Sequence, residues 1–82
     1  MSNTASRIYQ IGLSNHSLFR RDNGILQMCE NFTLSELNQA LQHWDDGKRI
    51  HCGGGFEEQR ANYKKSAVIC QIKAAIKRLT IE

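Results

Sequence analysis

Apolar and polar positions alternate along Arg7–Leu13, where Tyr9, Ile11 and Leu13 are interleaved with Gln10 and Gly12, the period of two expected of a half-buried strand. After a polar break at Ser14–Ser17, two short runs, Leu18–Arg21 and Ile25–Cys29, flank Asp22-Asn23-Gly24. Asn-Gly readily takes the positive φ angles of a tight turn, so this pattern predicts a β-hairpin.

The period then changes. In Phe32-Thr33-Leu34-Ser35-Glu36-Leu37, Thr33 is placed to cap a helix and Glu36 to return a bond to the Thr33 amide, while Phe32 and Leu37 occupy the positions of a hydrophobic staple. Leu34, Leu37, Ala40, Leu41 and Trp44 recur at spacings of three and four, which predicts a helix over Leu34–Asp45 with Trp44 in the core and Gly47 ending it. Residues 46–55 hold four glycines and predict a mobile interhelical loop.

Phe56–Leu79 reads as a long second helix, with Glu57 and Glu58 in its first turn and Lys77 and Arg78 in its last, as the helix dipole favours. Its wheel has two apolar stripes. Ala61, Val68, Ile69, Ile72, Ala75, Ile76 and Leu79 form a face for the core. Tyr63, Ala67, Cys70 and Ala74 form a second, flanked by Arg60, Lys64 and Arg78 on one side and by Lys73 and Lys77 on the other. Such a helix is either central, with the N-terminal segment covering its second stripe, or it docks that stripe on another molecule.

These elements predict an α+β domain, a short N-terminal β-hairpin region packed on two α-helices, with an all-α fold as the fallback. The 82 residues suffice for one domain, in which Met1–Ser6, small and polar, should fray. At 40% hydrophobic and 23% charged, the composition is that of an ordinary globular chain and argues against disorder. Neither a transmembrane-length apolar run nor a signal-peptide core occurs, so a cytoplasmic protein with no membrane role is expected. Cys29, Cys52 and Cys70 match no secreted disulfide framework and read as reduced thiols. The small, proline-free chain suits a bacterial or phage origin.

Charge is modest at +3 but uneven. Cations and acids balance over residues 1–55, so the surplus lies in Phe56–Glu82, where Arg60–Arg78 contains no acid. A solvated helix face or an anionic partner explains such a stretch.

Specific chemistry finds little support. Cys29, Cys52, Cys70, His16, His43 and His51 could supply zinc ligands only if folding gathered them, and the paired spacings of a zinc site are missing. Cys52 beside His51 has the residue types of a nucleophile and base, but no orienting third group and little chain for a pocket. Gly53–Gly55 run into a helix start that could hold a phosphate with Lys48, Arg49 and His51, yet the P-loop lysine is missing and Glu57 and Glu58 would repel an anion. The interhelical segment is too long for a helix-turn-helix.

The expectation is therefore a non-enzymatic regulator or inhibitor, without cofactor or metal, that binds a macromolecular partner stoichiometrically. Protein is favoured because the charge is small, aromatic residues are few and an apolar stripe lies between the cations. The alternative is a sequence-tolerant nucleic-acid-binding protein that uses the basic C-terminal helix. In either case the expected binding residues are the loop's Lys48, Arg49 and His51, the stripe Tyr63, Ala67, Cys70 and Ala74, and the cations Arg60, Lys64, Lys73, Lys77 and Arg78. A homodimer through the stripe is a further form this arrangement permits.

Overall fold

A computed structural model describes residues 3–81, and every regular element in them is an α-helix: α1 (Asn3–Ser14), α2 (Arg21–Asn31), α3 (Leu34–Trp44) and α4 (Gly55–Ile81). The α+β expectation is overturned, since the described residues contain no strand, and the all-α fallback fits. Both errors fall on glycines.

Arg7–Leu13, read as a strand, lies inside α1. Its buried line is Ala5, Ile8 and Gly12, at helical spacing, while the alternating Tyr9, Ile11 and Leu13 are only half-buried beside it. Gly12 faces α4 so closely that a β-carbon there would lie 2.8 Å from both Val68 methyls. Of the segment expected to fray, Met1 and Ser2 lie outside the described residues, while Asn3–Ser6 form the start of α1 with Ala5 buried.

The expected hairpin is likewise helical, because Asp22-Asn23-Gly24 form part of the first turns of α2 and Gly24 has no positive φ. Gly24, Ile25 and Met28 are buried on one face. A β-carbon on Gly24 would overlap Oε1 of Gln71 and stand 2.8 Å from Cβ of Asn15. Glycine inside a helix costs about 1 kcal/mol relative to alanine. Here that cost is offset by the approach of α4, which a larger residue would hold away.

α3 begins as its sequence predicts. The Glu36 amide donates to Thr33 Oγ1 at 3.2 Å and the Thr33 amide to Glu36 Oε1 at 2.8 Å, a complete capping box, and the staple residues Phe32 and Leu37 are both buried. The helix closes at Trp44, one residue before the expected end, where the Asp45 amide donates to the Leu41 carbonyl at 2.8 Å. Trp44 is half-buried rather than fully enclosed. Its Nε1 donates to the Ala5 carbonyl at 3.0 Å and its ring sits 4.2 Å from that of Tyr9, tying α3 to α1. Burial also holds the Tyr9 hydroxyl above its ordinary pKa of 10.0.

At about 1.5 Å per residue, a helix the length of α4 runs about 40 Å, and the molecule's longest dimension is 41 Å. α1, α2 and α3 all pack on it, around a centre of Val68, Gln71, Ile72 and Ala75. The thinnest dimension, 19 Å, leaves room for two layers of helix but not three. α4 is therefore central and still keeps one open side. No helix among the described residues is long and apolar enough to cross a membrane.

Candidate functional site

The open side of α4 carries the second stripe. Tyr63 and Cys70 are exposed, and Ala67 and Ala74 are half-covered by their neighbours. What borders them is set by the turn between α1 and α2. Asn15, buried at the end of α1, donates from Nδ2 to the Ile11 carbonyl at 2.8 Å and accepts at Oδ1 from Asn23 Nδ2 at 3.1 Å. Gln71 Nε2 donates to the Gly12 and Asn15 carbonyls at 3.1 and 3.2 Å, so α4 clamps the same turn from below. The next residue, His16, donates from Nδ1 to the Leu13 carbonyl at 2.8 Å. The chain then passes over Leu18 and enters α2 at Arg21.

That route places His16, Leu18 and Arg21 across from Tyr63, Ala67 and Cys70, with a cleft of about 210 Å³ between the two walls. Toward the start of α4 a second cleft, of about 310 Å³, continues between Phe56, Arg60, Tyr63 and Lys64. Toward its end a third, of about 450 Å³, lies between Ile25, Ala74, Lys77, Arg78 and Ile81. Together they make a groove along α4. Large apolar side chains stand in water beside it: Leu18 is 82% exposed, Phe56 72%, Tyr63 64% and Ile81 72%.

The groove's electrostatics are one-sided. Arg21, Arg60, Lys64, Lys77 and Arg78 line it, and none of its described lining residues is acidic. Arg60 stands 6.0 Å from the centre of the Phe56 ring. A larger cleft of about 470 Å³ adjoins, between Tyr9, Leu13, Ile50 and Ala61, but Glu57 lines it beside Arg60 and Lys64.

The expected binding residues divide between two flanks of α4. Arg60, Tyr63, Lys64, Ala67, Cys70, Ala74, Lys77 and Arg78 share the groove. Lys48 and Arg49 do not. They lie over Trp44, Asn62, Lys65 and Ile69, on the flank that faces α3. Asn62 holds the loop there with both polar atoms, Oδ1 accepting from the Ile50 amide at 2.8 Å and Nδ2 donating to the Ile50 carbonyl at 3.0 Å. Lys65 adds bonds to Asp46 at 3.1 Å and to the Lys48 carbonyl at 2.7 Å. Lys73 belongs to the same flank, 3.6 Å from Asp45.

At the glycine run, Gly53, Gly54 and Gly55 all have positive φ, and the Cys52 and Gly54 amides donate to Glu58 Oε1 at 3.0 and 3.2 Å. A carboxylate of the chain itself thus sits where a phosphate would have to bind, and His51 Nδ1 lies 3.9 Å from the same oxygen. Among the described residues no three of His, Cys, Asp and Glu gather in a metal-binding arrangement. Cys29 Sγ faces the Ala75 carbonyl at 3.6 Å, while Cys52 and Cys70 are exposed on separate elements.

No family model matches this chain, and no curated protein or solved structure matches it either.

Among the groove residues outside the expected binding set are His16, Leu18, Arg21, Ile25, Phe56 and Ile81. Two had a legible signal, because Phe56 lies seven residues before Tyr63 and Ile81 seven after Ala74, both in line with the stripe. Of the other four, Leu18, Arg21 and Ile25 come from the runs read as a hairpin and His16 from the polar break before them. Their place depends on Gly12 and Gly24 meeting α4, which no local pattern encodes.

Proposed function

We propose that this protein is a non-enzymatic regulator or inhibitor that binds another protein stoichiometrically, through the groove along α4. One observation carries the reading: Leu18, Phe56, Tyr63 and Ile81 remain largely exposed on the side of α4 that the other helices leave open. Leaving a fully buriable side chain of this size in water forgoes about 1.5–3 kcal/mol. Several such residues on one surface mark an interaction site. The loop, held on the other flank of α4, lies outside the proposed surface.

A second reading has its own support. Phe56 and Tyr63 could stack bases while Arg60 and Lys64 hold phosphates, at one end of the groove. Salt separates the two. The experiment is affinity capture from the native host at low and high salt, with wild type and Ala67→Glu as baits, beside a gel shift with single-stranded nucleic acid. A protein retained by wild type at high salt and lost by folded Ala67→Glu supports the docking reading. Nucleic-acid binding that falls steeply with salt, with no Ala67-dependent protein, overturns it.

A further inference from the structure

We infer that the occupant of the groove is an acidic amphipathic helix of another protein. This rests on the docking reading and adds the partner's chemistry. Three observations carry it.

The first is shape. From Phe56 to Ile81 the groove follows one straight helix for about 37 Å at about 1.5 Å per residue, and its clefts come one after another along that axis. A rod laid beside α4 can fill successive clefts with side chains spaced three and four residues apart, as a helix presents them. Ala67, Cys70 and Ala74 on the groove floor allow close approach.

The second is an asymmetry of pairing. On the loop flank the lysines of α4 itself already have acids: Lys65 meets Asp46 at 3.1 Å, and Lys73 meets Asp45 at 3.6 Å. On the groove flank Arg21, Arg60, Lys64 and Lys77 make no ion pair among the described residues. Carboxylates on both shoulders of an incoming apolar ridge would meet these cations.

The third is the character of the walls. Leu18, Ile25 and Ile81 are aliphatic, and the aromatic groups Phe56 and Tyr63 lie toward one end. A nucleic-acid strand would run its phosphates along an aliphatic surface for most of that length. An amphipathic helix would bury its apolar face there.

The test is panning of a display library of helical peptides, each about 20 residues and thus about 30 Å long, against the folded full-length protein. Recovered peptides are then measured on three variants: Arg21→Glu with Arg60→Glu, Ala67→Glu, and Tyr63→Glu. Circular dichroism of each variant comes first. Tyr63 is exposed, so its variant carries the steric arm should Ala67→Glu unfold.

The inference expects net-acidic sequences with apolar residues at spacings of three and four, binding at least about tenfold more weakly to the charge-reversed variant and to the groove variants. Recovery of neutral or basic peptides that still require the groove overturns the acidic partner and leaves the docking reading standing. Failure to recover any groove-dependent peptide overturns both. A labelled oligo-dT strand, binding wild type with steep salt dependence and the charge-reversed variant weakly, would then identify nucleic acid as the occupant.

Discussion

Gln71 and Gly24 meet where α4 crosses α2, with no room for a methyl group between them. On its other side the same glutamine donates to the Gly12 and Asn15 carbonyls. One buried amide thereby fixes α1, α2 and the turn between them, and with that turn the wall of the groove.

Replacing Gly24 by alanine tests this junction. Helix propensity alone favours alanine by about 1 kcal/mol. The overlap with Gln71 and the 2.8 Å approach to Asn15 Cβ act in the opposite direction. Overpacking of this kind costs about 1–3 kcal/mol, so Gly24→Ala should lower the denaturant midpoint. A midpoint unchanged or raised would show that α2 can move off α4 at little cost.

Trp44 ties α3 to α1 through one hydrogen bond and one ring contact. Trp44→Phe keeps an aromatic ring near Tyr9 but removes the indole hydrogen bond to the Ala5 carbonyl, at a cost of about 1 kcal/mol. Chemical denaturation followed by circular dichroism reads that loss. Equal stability of the two proteins would mean that water replaces the indole N–H.

The capping box at Thr33 is exposed, so its removal costs local stability without opening a cavity. Thr33→Ala should cost about 0.5–2 kcal/mol, with helix content retained at low temperature. An unaltered melting temperature would contradict the cap.

Asp46 ties the loop to α4 in a pH-dependent way. The Lys48 amide, and then the Lys65 ammonium, hold its carboxyl below the ordinary value of 3.8. A lowered folded-state pKa gives stability that is present above the unfolded pKa and is lost as pH falls through the folded one. Wild type should therefore exceed Asp46→Asn in melting temperature near neutrality, with the gap closing below about pH 4. A gap that persists unchanged in stronger acid would mean the carboxylate's charge is not what holds the loop.

The sequence was most legible where several local devices agree. Thr33 with Glu36, and Phe32 with Leu37, mark the start of α3 independently, and the acids and cations at the ends of α4 outline a helix that lies within its actual bounds. α1 reads as a strand because Tyr9, Ile11 and Leu13 alternate with Gln10 and Gly12, and α2 as a hairpin because Asn23-Gly24 is a turn pair by local preference. The role of Gly12 and Gly24 is tertiary: each lacks a side chain where α4 passes. The competing signal was present in Ala5, Ile8 and Gly12, and in Ile25, Met28 and Phe32, which recur at helical spacings and are all buried. The Gln71 clamp had no signal, since a glutamine on a helix reads as solvent-facing until its partners are known. The groove was half legible for the same reason: α4 supplies one wall from a regular wheel, and the other wall depends on that clamp.

The docking claim is tested most directly by placing a photo-crosslinking amino acid at Tyr63, in the groove, and separately at Arg49, on the loop flank, and irradiating each protein in its native host. The account predicts a discrete protein adduct from position 63 and none from position 49. An adduct from position 49 alone, or a nucleic-acid adduct from position 63, would contradict it.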